Sequence, residues 1–185
     1  MSSLEKVRIN RAPVLTLWAT VVAERLGFDR EEALTFGRAV AGMSAAIKGK
    51  ALGIFEPGDP REVEAERRKP VPEGEELHVR ILGRPVPAIR TKDGIRALDK
   101  GKPGVPASVE SYLRGKFGDG YGAARHAMEA LAAAYDPRHL ALYGFKLYEE
   151  FRPEVPAGAK GWGAAGELDL TKIEAMMRRR RGERS

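Results

Sequence analysis

The sequence predicts a mainly α-helical protein with a small antiparallel β-hairpin or sheet in its middle, which is an α+β fold. Apolar residues recur at helical spacing towards both ends of the chain, whereas over residues 77–98 they alternate with polar residues. The composition, 43% hydrophobic and 31% charged over 185 residues, is typical of a globular protein. We therefore expect one compact domain that spans residues 1–185.

The first 55 residues are predicted to form a helical pair behind a short extended arm. Apolar residues recur every three or four positions over residues 14–26, and Gly27 is placed to end this first helix. Asp29 and Glu32 have the spacing of a capping box. A second helix is therefore expected over about residues 30–48.

Residues 56–76 are predicted to be a linker because they are rich in proline, glycine and charge. A basic hairpin followed by a helix is expected over residues 77–117, since Lys92-Asp93-Gly94 carries the Asp-Gly signal of a hairpin turn. Ser108 is interpreted as the cap of the helix after the hairpin, and Gly118 as its end.

Further helices are expected over residues 118–177. Asp136 followed by Pro137 signals the cap and first turn of one of them, and Asp169 is placed to cap the last. The stretch 153–166, rich in proline and glycine, is interpreted as a loop. Residues 178–185, which include four consecutive arginines, form a basic tail.

The net charge of +6 is concentrated in the middle of the chain. Residues 77–117 hold nine Lys or Arg and three Asp or Glu, so this segment alone has a net charge of +6. Clustered cations attract polyanions, above all the phosphates of nucleic acids. A solvated surface that pairs with acidic residues of the later helices would have the same composition, and this alternative stays open.

The favoured function is association with nucleic acid, with double-stranded DNA as the favoured form. Phosphate contact needs only placed point charges, and the predicted contacts lie on the hairpin, on the loop that follows it and on the next helix. They are Arg90, Lys92, Arg96, Lys100, Lys102, Arg114 and Lys116. The prediction requires that these side chains share one exposed face.

The sequence predicts no catalytic residue, no metal site and no cofactor. Cysteine is absent, and the three histidines lack partners at metal-ligand spacing. Residues 161–166 have the spacing G-x-G-x-x-G, but Pro-Glu-Val-Pro lies before them where a dinucleotide site needs a strand. No apolar run approaches the roughly 18 residues that a membrane span needs, and no signal peptide is evident. We therefore expect a cytoplasmic location and no membrane contact. An enzyme acting on a small anionic substrate is the third hypothesis.

Residue usage allows two interpretations of the source. The chain contains no Gln, no Cys and a single Asn, Asn10. Depletion of thermolabile residues together with abundant Arg and Glu is typical of proteins from thermophiles. Codon bias in a GC-rich genome favours similar residues, so both interpretations stay open.

Residues 19–38 resemble the helix-turn-helix family of DNA-binding modules. Ala23 occupies the small position on which the second helix packs, and Gly27 allows the turn, whereas Ala33 stands where a branched apolar residue is usual. The resemblance implies that one face of the second helix meets DNA. That face would present Asp29, Arg30, Glu31, Leu34, Thr35 and Arg38, two of which are acidic and would be repelled by phosphates.

As a whole, the chain also resembles a small bacterial family of conserved proteins without an assigned activity. Residues 12–18, 48–55 and 160–163 carry this resemblance, which implies a bacterial source but no mechanism. The alternative to nucleic-acid binding is a structural or interaction protein that assembles through a helix face of small residues, including with a second copy as a homo-oligomer. That face would consist of Gly37, Ala41 and Ala45.

Overall fold

The computed structural model describes residues 6–51, 74, 76–99, 101–154 and 165–182, with the backbone alone at residues 44–51, 99 and 165. Helices predominate in these ranges, and two small antiparallel sheets accompany them. The predicted mainly α, α+β fold is therefore confirmed. Most of the predicted linker at 56–76, Lys100 and part of the tail at 178–185 lie outside the described residues.

In chain order the described helices are α1 (Arg11–Arg25), α2 (Arg30–Ala51), α3 (Pro106–Phe117), α4 (Tyr121–Ala133), α5 (Pro137–Phe151) and α6 (Leu170–Gly182), and a 3-10 turn covers Gly118–Gly120. The strands are β1 (Lys6–Asn10), β2 (Glu76–Ile81), β3 (Arg84–Thr91), β4 (Gly94–Asp99), β5 (Lys102–Pro103) and β6 (Ala165–Asp169). None of the described helices combines the length and the apolar character that a bilayer crossing needs.

The caps predicted from sequence are present at three helix starts. Asp29 Oδ1 accepts a hydrogen bond from the Glu32 backbone N–H at 2.8 Å, and Glu32 Oε1 accepts one from the Asp29 N–H at 3.1 Å. The Asp136 carboxylate accepts a hydrogen bond from the backbone N–H three residues later at 2.8 Å, and the Asp169 carboxylate accepts one from the N–H two residues later at 3.0 Å. Each carboxylate thereby satisfies a backbone donor that the helix itself leaves unpaired.

The start of α3 corrects one prediction. Val105 is the N-cap and Pro106 the first helical residue, so Ser108 lies in the first turn and does not cap the helix. The fixed φ of proline and its missing N–H suit the first position of a helix. Gly118 ends α3 as predicted, with φ +56°.

The central sheet has the strand order β2-β3-β4-β5, and all its pairs are antiparallel. The predicted hairpin is its β3–β4 pair, in which Thr91 lies opposite Gly94. Gly94 has φ +121°, a backbone conformation that favours glycine after the turn. The sheet buries Val86, Ala88 and Ala97 in the apolar cluster that also contains the helices.

A second sheet joins β1 to β6, with Val7 opposite Leu168. The sequence predicts a loop over residues 153–166 and no strand before the last helix, so β6 is an element that the sequence analysis missed. The glycine at position 166, which indicates a loop in the sequence, is required by packing instead, because a Cβ there would lie 2.1 Å from the Glu154 carbonyl oxygen. This glycine permits a close approach of two backbones within a strand and does not mark a loop.

Helix α2 closes the outer edge of β4 with two side chains. Glu32 Oε2 accepts a hydrogen bond from the Ile95 N–H at 2.8 Å, and Thr35 Oγ1 accepts one from the Ala97 N–H at 3.0 Å. Strand β5 is too short to cover this edge along its whole length. The two side chains therefore replace a missing strand and fix α2 against the central sheet.

Thr35→Val is expected to lower the free energy of unfolding by about 1–2 kcal/mol, because the variant keeps the shape of the side chain but leaves the buried Ala97 N–H unpaired. Thr16→Val is the matched control: Thr16 is fully buried too, but its hydroxyl only donates to the Ala12 carbonyl in its own helix. Urea unfolding followed by circular dichroism measures both. Equal losses in the two variants would contradict the role given to Thr35.

Candidate functional site

The hairpin does not present its arginines on a single face. Arg90 lies opposite Ile95, and Ile89 lies opposite Arg96 in the β3–β4 register. Because successive side chains of a strand point to opposite faces, Arg90 and Arg96 lie on opposite sides of the sheet. The seven predicted phosphate contacts therefore do not form one common surface.

Arg96 is also neutralised by its surroundings. Its side chain lies 3.4 Å from the Glu31 carboxylate and donates to the carbonyl oxygens of Asp93 and Ile95, at 3.2 and 3.0 Å. The residue is only 6% exposed. Arg96 thus holds the hairpin against α2 and is not available to a polyanion.

Arg114 belongs to an ion-pair network centred on Glu110. The Glu110 carboxylate accepts from Arg114 at 3.0 Å and from Arg30 at 2.8 Å, and Arg114 also lies over the ring of Tyr121. Burial alone would raise the pKa of Glu110, but the hydrogen bonds and charges of Arg30 and Arg114 outweigh it and hold this pKa below its ordinary value. One anion is therefore shared by two cations, which leaves them partly uncompensated.

The other predicted residues that the structure describes are exposed and lie on different elements. Lys92 is in the hairpin turn, Arg90 is near the end of β3, and Lys116 is in the last turn of α3. Lys100 lies outside the described residues. Lys102, on β5, lines a concave surface.

That concave surface is a groove of about 480 Å³ where α2, β5 and α3 meet. Polar groups reach it from all three elements, and apolar side chains form the remainder of its wall. The polar side chains are Thr35, Arg38, Lys102, Ser108 and Tyr112. Among the described residues that line the groove, none is Asp or Glu.

Arg38 and Lys102 are the two cations among the described residues that line the groove. Arg38 and Lys102 are both exposed, and neither forms an ion pair with a described residue. The Arg38 guanidinium lies 4.9 Å from the centre of the Tyr112 ring, which orients the cation without neutralising it. Burial raises the pKa of Tyr112 and Arg38 offsets only part of this effect, so the phenol remains a hydrogen-bond donor at neutral pH.

Close backbone packing fixes the groove's shape. The Gly104 N–H donates to the Ala97 carbonyl at 2.8 Å, and a Cβ on Gly104 would lie 3.0 Å from Thr35 Cβ. Val105 follows at the rim of the groove with 58% of its surface exposed. The loop after β5 is thereby held close to α2, with Lys102 on one side and the first turn of α3 on the other.

Sequence analysis names Lys102 but misses Arg38, which lines the same groove. The helix-turn-helix resemblance places Arg38 on the outward face of the second helix. In the structure Leu34 and Thr35 of that face are 2% exposed, because β4 packs on α2. A charge count along the sequence cannot show that Arg38 and Lys102 line the same groove, because that placement depends on the packing of α2 on the sheet.

No group of three His, Asp or Glu side chains in the described ranges is placed to hold a metal ion. Comparisons of the chain with protein-family models, with curated proteins and with solved structures found no match. The groove and its charges therefore carry the functional argument.

Proposed function

We propose that the protein binds nucleic acid through the groove between α2, β5 and α3. One observation carries this proposal: Arg38 and Lys102, from distant parts of the sequence, line one groove whose described lining contains no carboxylate. Cations in a concave site attract phosphate oxygens, and their field is focused by the low-dielectric wall behind them.

A polyanion fits this surface better than an isolated small anion. Lys116 lies eight residues after Ser108 on the same helix, about 12 Å along its axis, and is exposed. Successive phosphates of a nucleic acid are spaced closely enough to reach both the groove and Lys116, whereas a small anion can occupy only one of these two positions. The net charge of +6 favours the same class of partner.

Fluorescence anisotropy with a labelled oligonucleotide at several salt concentrations tests the proposal. Lys102→Ala and Arg38→Ala are each expected to weaken binding and to reduce the slope of log K against log salt by about 0.7–0.9, the contribution of one phosphate contact. Lys146→Ala is the matched control, because Lys146 is an exposed lysine on α5 that does not line the groove. Absence of binding at low salt, or equal effects of all three variants, would overturn the proposal.

Glu110→Gln is expected to strengthen binding about two- to fivefold and to steepen the salt slope. The variant removes the carboxylate that Arg30 and Arg114 share, so it raises the positive potential around α3, although neither arginine lines the groove. Glu150→Gln is the control, since Glu150 pairs with Arg179 on a different surface at 3.6 Å. Unchanged affinity in Glu110→Gln would place the bound nucleic acid away from the last turns of α3.

A further inference from the structure

The groove has a volume that suits one unit of a polyanion and not the width of a double helix. Its volume of about 480 Å³ lies within the range of roughly 300–1,000 Å³ that is usual for small-molecule pockets. A duplex keeps its bases paired and stacked, so it offers such a pocket its sugar-phosphate backbone and base edges but no face of a base. A nucleotide that is unpaired can enter with its base as well as its phosphate.

The wall of the groove contains both cationic and apolar side chains. Arg38 and Lys102 supply the charge, while Pro103, Val105 and Val109 supply apolar surface. Val105 is one of the few large apolar side chains that the described structure leaves exposed, at 58%. A phosphate ion would contact only the cationic side chains. A nucleotide has an anionic group and a flat apolar face, which match the cationic and the apolar side chains.

We propose that the groove receives one unpaired nucleotide of a single strand, with its phosphate between Arg38 and Lys102 and its base against Val105. This inference rests on the proposed function and specifies its ligand. The Ser108 hydroxyl and the Tyr112 phenol, which border the same groove, are available to hydrogen-bond the sugar or the edge of the base. The protein then discriminates single strands from duplexes by access to the base, and sequence preference is weak.

The test compares a single-stranded 12-mer with the duplex of the same sequence, using full-length protein, anisotropy and one fixed salt concentration. We expect the single strand to bind about tenfold more tightly than the duplex. Val105→Ser is expected to weaken single-strand binding roughly fivefold and to leave duplex binding unchanged, because it removes apolar contact and no charge. Serine is a favoured N-cap residue, so this variant should keep α3 folded.

Leu142→Ser is the matched control, because Leu142 is an equally exposed apolar residue, at 67%, on α5. It should bind both oligonucleotides like the unaltered protein. A mononucleotide should compete for the groove at lower concentration than inorganic phosphate. Equal binding of single strand and duplex, or equal competition by phosphate and mononucleotide, would overturn this inference and leave the proposed function standing, whereas no binding to either oligonucleotide would overturn both.

Discussion

Gly37→Ala should destabilise the protein by about 3 kcal/mol, although alanine is the better helix former. A Cβ at this position of α2 would lie 2.1 Å from Thr20 Oγ1 and 2.4 Å from the Thr16 carbonyl oxygen of α1. The threonine hydroxyl could rotate away, but the carbonyl belongs to the helix backbone. The two helices would therefore have to separate, and the apolar contacts between them would be lost.

Gly42→Ala on the same helix is the matched control and should act in the opposite direction. Gly42 is exposed, and a Cβ there would meet nothing within 4 Å. The substitution should stabilise the protein by about 1 kcal/mol through helix propensity alone. Urea unfolding followed by far-ultraviolet circular dichroism measures both. A Gly37→Ala variant as stable as the unaltered protein would show that α1 and α2 do not pack at this distance.

Gly37 also shows how far the sequence can identify a role. The small residues of the second helix correctly indicate close helix packing, but periodicity does not identify the partner helix. In the structure Gly37 meets α1 of the same chain, and Ala41 is buried at 2% exposure. These two positions are consequently not accessible to a second copy of the chain. A homo-oligomer stays a prediction, but its interface would not include them.

The local features were predictable because they depend on neighbouring residues. The capping box of Asp29 with Glu32 and the cap at Asp136 follow from spacing, and the structure confirms them. The hairpin follows from alternation and the turn at Asp93. Strand β6 was missed because Gly166 serves a close backbone contact that only the tertiary structure reveals.

The candidate site was only partly predictable because it depends on pairing across the fold. A charge count gives Arg96 and Lys102 the same weight. Burial beside Glu31 removes the first from the surface, whereas the second stays exposed in the groove. Arg38 gains its importance from the packing of α2 against β4, which no short stretch of sequence encodes.

Trp18→Ala is expected to give the largest loss, about 4 kcal/mol, because it removes the largest fully buried side chain of the described structure. The indole packs edge-on against Phe151 at 5.3 Å between ring centres, and its Nε1–H donates to the Gly144 carbonyl at 2.9 Å. One side chain thus joins α1 to two turns of α5. Trp18→Phe should cost about 2 kcal/mol, because it retains most of the ring volume but loses the hydrogen bond.

A comparison of Trp18→Phe with Lys102→Ala separates stability from binding. Trp18 does not line the groove, so Trp18→Phe should bind oligonucleotides like the unaltered protein under conditions in which it remains folded. Lys102→Ala should show the reverse behaviour, with weakened binding and a free energy of unfolding changed by less than about 0.5 kcal/mol, because Lys102 is exposed. If Trp18→Phe weakened binding as much as Lys102→Ala while fully folded, the groove could not be the site that determines affinity.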